Sequence, residues 1–113
     1  MFALRHEKTQ QRQRMQSDEQ FLSHIDKALE KFGTTVKAVV YFRFYEEHKM
    51  KREQIADRPD LFVATIDKFF GVGSDVVKSS IEMEMRAAAS PVELGQSSTV
   101  DILRRARNHF QQA

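Results

Sequence analysis

Val36-Lys37-Ala38-Val39-Val40-Tyr41-Phe42-Arg43-Phe44-Tyr45 is the stretch on which the fold turns, because every residue in it but Lys37 and Arg43 is apolar or aromatic. Its β-branched and aromatic content favours a strand by propensity. No other stretch of the chain could pair with it, however, and an unpaired strand would leave a row of backbone N–H and C=O groups unsatisfied. Glu46, Glu47, His48 and Lys49 continue it into helix-forming sequence. The segment is therefore expected to be helical and, being apolar on nearly all sides, to be a central helix surrounded by others.

The flanking sequence reads as helices with recognisable ends. Upstream, Ser17-Asp18-Glu19-Gln20 has the form of a capping box, in which the Ser17 hydroxyl and the Gln20 side chain would satisfy first-turn N–H groups. Phe21, Leu22, Ile25, Leu29 and Phe32 follow at helical spacing and Gly33 offers a left-handed stop, which predicts a helix from about 18 to 32. Thr34-Thr35 is a candidate cap for the central segment. Downstream, Asp57-Arg58-Pro59-Asp60 favours a helix start. Leu61, Phe62, Ile66, Phe69 and Phe70 carry that helix to Gly71-Val72-Gly73. Ser74 is the expected cap of the next, whose apolar residues Val77, Ile81, Met85 and Ala88 recur every three or four positions before Ser90-Pro91. Ser98 or Thr99 would cap a last helix with a narrow stripe of Leu103, Ala106 and Phe110. The fold class this implies is all-α: four core helices over residues 17–90, a basic tail or helical extension over 1–16, and a linker plus C-terminal helix over 91–113. Phe32, Val40, Phe62, Ile66, Phe69 and Ile81 are the expected core.

The 113 residues suit one domain, and 41% hydrophobic with 30% charged residues is ordinary for a soluble chain. No apolar run approaches the roughly 18 residues of a membrane span, and the first residues turn polar too early for a secretory segment, so a cytoplasmic protein is expected. The absence of cysteine removes disulfides, thiol catalysis and cysteine-ligated metals. The net charge of +2 is uneven: Arg5, Lys8, Arg12 and Arg14 against Glu7 give the first sixteen residues +3, and the remainder sums to −1. Arg104, Arg105 and Arg107 form a second basic cluster.

Motifs for catalysis are lacking. The chain has no G-x-S-x-G, P-loop, H-E-x-x-H or G-x-G-x-x-G, and Gly71-Val72-Gly73 reads as a turn. His6, His24, His48 and His109 include no i, i+4 pair, and Glu46-Glu47-His48 diverge around a helix. No enzyme, cofactor or metal is expected. The two helices around Gly71–Gly73 have the outline of a helix-turn-helix, but the second opens with Ser74-Asp75 and carries Asp75, Glu82 and Glu84 against Lys78 and Arg86, a poor surface for phosphates. Two roles remain. Arg5, Lys8, Arg12, Arg14, Arg104, Arg105 and Arg107 are candidate nucleic-acid contacts that would neutralise phosphates without reading sequence. Nine phenylalanines and two tyrosines exceed what a four-helix core needs, which makes Phe2, Phe42, Tyr45, Phe70 (or its neighbour Phe69) and Phe110 candidate partner contacts. The partner would be another protein or a second copy of the chain; the Phe110 stripe, set off by a linker, either docks such a partner or folds back on the core.

The residues from 25 to 85 also carry a resemblance. Ile25-Asp26-Lys27-Ala28-Leu29-Glu30-Lys31-Phe32-Gly33, then Val36-x-x-Val39-Val40-Tyr41, then Lys51-Arg52-Glu53-Gln54-Ile55 with Pro59 and Phe62, and finally Phe69-Phe70-Gly71-x-Gly73, is similar to the Nitrosopumilus output domain family, number five of its series. The resemblance implies an archaeal, all-helical module that receives or passes on a regulatory signal, within signal transduction or transcriptional control, with no catalytic residue to carry over. Residues 1–16 and 91–113 fall outside it. The expected function is a non-catalytic regulatory module working by protein contact and self-association, with nucleic-acid binding through the basic ends as the alternative.

Overall fold

A computed structural model describes residues 18–89 and 98–112. The expected Ser17 cap, the basic segment with Phe2, Arg5, Lys8, Arg12 and Arg14, and the linker after Ser90 lie outside the described residues. Within them the chain is all-α, and residues 36–45 are helical. Helix α1 covers 18–30, α2 Thr34–His48, α3 Pro59–Phe70, α4 Ser74–Ala88 and α5 Thr99–Gln112.

Short breaks with local causes separate them. Gly33, at φ 104°, and Gly71, at φ 53°, take backbone angles that a side chain would resist, and so end α1 and α3. Gly33 is also the residue preceding α2; Thr34 and Thr35 lie inside its first turn and do not cap it. Lys49 closes α2 in the left-handed region without being glycine, its N–H donating to the Tyr45 carbonyl at 2.7 Å. One 3-10 turn, Arg52–Ile55, then buries Ile55 and leads to Pro59, which opens α3 as a proline in a first turn should. A second 3-10 turn, Gly71–Gly73, joins α3 to α4, whose first residue is Ser74 and which has no side-chain cap. Ser98 does cap α5, accepting the Asp101 N–H at 3.2 Å.

The core is one cluster. α1 contributes Phe21, Leu22, Ile25, Ala28 and Leu29; α3 Phe62, Val63 and Ile66; α4 Val77, Ile81 and Met85; α5 Ile102, Leu103, Ala106 and Phe110. α3 lies deep in the bundle, packing against α2, α4 and α5. Its one buried hydroxyl, Thr65, is satisfied within the helix by the Leu61 carbonyl at 3.0 Å, so a wide arc of α3 enters the core without a polar penalty. α2, the expected central helix, is peripheral. Val40 and Phe44 are buried in the core and Val36 and Tyr41 pack against it, while Val39, Phe42 and Tyr45 face outward. Lys37, Arg43, Glu46 and Glu47 are spread around this helix, and burial on several sides would strip them of water or partners.

Two further expectations are corrected. Phe69 is 38% exposed: it lies on the Phe62/Ile66 side of α3 but one turn beyond the end of the core, and its neighbour Phe70 packs inward instead. Phe110, offered as a partner contact, is only 9% exposed, because α5 folds back onto the bundle and its stripe completes the core.

Candidate interaction surface

Most of the charged side chains between helices are tied to one another. Arg107 donates to Asp18 from Nε at 3.0 Å and to the Ala56 carbonyl at 3.0 Å, and its second terminal nitrogen is 2.9 Å from Asp57, so one guanidinium joins α5, α1 and the segment before α3. Arg52 donates to both Asp26 oxygens, at 3.1 and 2.8 Å, and to Glu19 at 3.0 Å, while the Tyr41 hydroxyl donates to Asp26 from α2. Burial, followed by the hydrogen bond to Asp26, pushes the Tyr41 hydroxyl well above the usual phenol range. Ser80 donates to the Ala28 carbonyl at 3.0 Å, His24 Nδ1 lies 3.0 Å from Glu84 Oε1, and the His24 ring stacks on Phe110 at 5.4 Å. These bonds close the bundle on the α1, α4 and α5 side.

The opposite side is different. Along the outer face of α2, Val39, Phe42 and Tyr45 are spaced three residues apart and are 44%, 58% and 47% exposed. The face continues onto α3: Arg43 lies 4.8 Å over the Phe69 ring, and a groove lined by Val39, Arg43, Phe69 and Phe70 descends to Val40 and Ile66. Charges border the patch in both signs. Lys68 is 5.6 Å from the Phe69 ring and 2.7 Å from Glu47, Arg43 reaches Glu46 at 3.4 Å, and Lys49 lies 5.6 Å from the Tyr45 ring. The Lys68 ammonium holds the Glu47 carboxyl below the usual range. This is a large aromatic face with cations stacked at its edges, and the residues beneath it are packed. A second apolar surface, without aromatic side chains on its helix, joins Val76 and Met83 of α4 to Phe32.

The candidate residues that the structure describes are therefore scattered. Phe42 and Tyr45 lie together on the α2 face. Phe69 and Phe70 both line the groove beside them, Phe69 the more exposed. Phe110 is in the core and Arg107 is committed to Asp18 and Asp57. Arg104 and Arg105 are exposed but project about 100° apart around α5, so the three arginines do not form a common phosphate-facing strip. Val39 carries no sequence signal for a surface role; only the shortage of neighbours around α2 gives it one. Among the described residues no group of three or more His, Cys, Asp or Glu is placed to hold a metal ion.

No family model, curated protein or solved structure matches this chain. The exposed large aromatic side chains among the described residues, Phe42, Tyr45 and Phe69, all belong to the α2/α3 face. Among the described residues no helix is long and apolar enough to cross a membrane.

Proposed function

We propose that the chain is a non-catalytic helical contact module, of the regulatory or signalling kind, that works by presenting the Val39/Phe42/Tyr45/Phe69 face to another polypeptide. The observation that carries this reading is the exposure of three large side chains in register on one helix. Solitary exposed apolar residues are ordinary, but a continuous aromatic face over a packed floor marks an interaction site. Interfaces draw their energy from a few aromatic and arginine side chains near their centre, which is the composition of this patch. Nucleic-acid binding has weaker support, because the cations beside the face are paired with Glu46 and Glu47 and the C-terminal arginines diverge.

The test is a photo-reactive amino acid placed at position 42 and, in a separate chain, at position 83, with cross-linking carried out in cells. The reading expects polypeptide adducts from position 42, suppressed when Tyr45 and Phe69 are also replaced by serine, and few from position 83. Absence of adducts at position 42, or submicromolar salt-sensitive binding to duplex DNA that disappears on neutralising Arg104 and Arg105, would overturn it.

A further inference from the structure

Resting on the contact-module reading, we infer that the polypeptide seated on the α2/α3 face is a second copy of this chain, related by a two-fold axis passing close to Phe42, with the two α2 helices antiparallel. Three features of the face point to this occupant.

The first is area. At the observed exposures, Val39, Phe42, Tyr45 and Phe69 leave on the order of 400 Å² of apolar and aromatic surface. With the aliphatic stems of Arg43, Lys49 and Lys68 around them, the footprint approaches the roughly 600 to 800 Å² per side of a stable interface. A small peptide would cover only part of it.

The second is charge. A two-fold interface sets a patch against itself, so a patch of one sign repels its copy. This one mixes Arg43, Lys49 and Lys68 with Glu46 and Glu47, already partly paired within the chain, and can meet its copy at little electrostatic cost. An acidic or a nucleic-acid partner would want the cations unpaired.

The third is shape. With Phe42 on the axis, antiparallel helices set the small Ala38 beside the partner copy's Tyr45 and Thr35 beside its Lys49, so that the large ring lies over a small side chain twice, once on each side of the axis. Helical geometry puts Ala38, Phe42 and Tyr45 on one face, and all three are exposed.

The experiment uses the full chain, whose lack of cysteine makes any introduced thiol unique. Sedimentation equilibrium at about 100 µM chain should give the dimer mass, and Phe42→Glu should give the monomer mass with an unchanged helical circular dichroism spectrum. Mixing Ala38→Cys with Tyr45→Cys chains, which keep Phe42, should on oxidation give a disulfide-linked dimer well in excess of that from either chain alone, and Met83→Cys chains should give little. A monomer mass for the unaltered chain, or cross-linking through position 83 in preference to the 38/45 mixture, overturns the inference. These outcomes separate it from the reading it rests on. A monomeric chain that still photo-cross-links a different polypeptide from position 42 defeats the dimer alone, and one that gives no adduct there defeats both.

Discussion

α2 and α3 are both rich in apolar and aromatic side chains, and they occupy opposite places in the molecule. α3 buries Pro59, Phe62, Val63, Thr65 and Ile66 and has neighbours in α2, α4 and α5; α2 buries Val40 and Phe44 and presents Val39, Phe42 and Tyr45 to solvent. Apolar content therefore does not rank helices by depth. What ranks them is whether the remaining side chains can be satisfied inside. α3 satisfies its buried hydroxyl from its own backbone and keeps Asp60, Asp67 and Lys68 toward the outside, whereas α2 has charges around most of its circumference and can bury only a narrow strip.

The most direct challenge to this contrast is to remove one ring from the inner helix. Phe62 is fully buried and meets Phe44 edge-to-face with centroids 5.6 Å apart, so Phe62→Ala should cost about 3 to 5 kcal/mol in denaturant titration. A loss under about 1 kcal/mol would deny α3 its buried place. Arg107→Met comes next, at about 1 to 3 kcal/mol, because it leaves the half-buried Asp18 carboxylate without its main partner and the Ala56 carbonyl without its donor. No change in stability would mean that α5 is held by its apolar stripe alone.

Helix boundaries and most of the core were legible in the sequence for a simple reason: spacing, Gly33, Gly71 and Pro59 are local signals. The 3.6 periodicity of α1, α4 and α5 also named the sides they bury. Tertiary competition was not legible. Nothing in the run 36–45 says that α3 lies deeper than α2, and nothing in the α5 stripe says whether Phe110 docks at home or elsewhere until α1 and α4 are seen to leave a gap for it beside His24. Of the candidate site, Phe42 and Tyr45 could be picked out as surplus aromatics. Arg107 could not be told from Arg104 and Arg105, because its acceptors stand 89 and 50 positions away.

Tyr41 tests how α2 is attached. Tyr41→Phe should cost about 1 kcal/mol near neutral pH, since the hydroxyl donates to a carboxylate from a half-buried position. The folded chain also holds this proton to higher pH than the unfolded chain, whose tyrosines titrate near 10, so the contribution is intact below that pH and is lost as the pH rises above it. Stability measured from neutral to strongly alkaline pH should fall less steeply in Tyr41→Phe than in the unaltered chain, and parallel curves would place the α2 attachment elsewhere. At the end of the same helix, Lys49 has φ 56°, a conformation that glycine adopts freely. Lys49→Gly should raise stability by about 0.5 to 1 kcal/mol despite losing the contact with Tyr45, and a fall in melting temperature would show that the contact outweighs the relief of the backbone.

The smallest effect on the isolated fold is expected at the most conspicuous side chain. Phe42 is over half exposed, so its truncation leaves no cavity, and its position in the middle of α2 puts it outside every cap. Phe42→Ser should therefore change the stability of the monomer, measured at low chain concentration, by no more than about 0.5 kcal/mol, the ordinary scatter of surface substitutions. A serine hydroxyl competes for backbone hydrogen bonds inside a helix, which sets the direction of the small loss. Against the several kcal/mol expected for Phe62→Ala, that near-neutrality is the contrast between the two helices in its strictest form: one phenylalanine holds the fold, and the other is kept on the surface at no benefit to it. A loss above about 2 kcal/mol for Phe42→Ser would mean that the outer face of α2 is covered within the monomer, and the contrast would fail at its own centre.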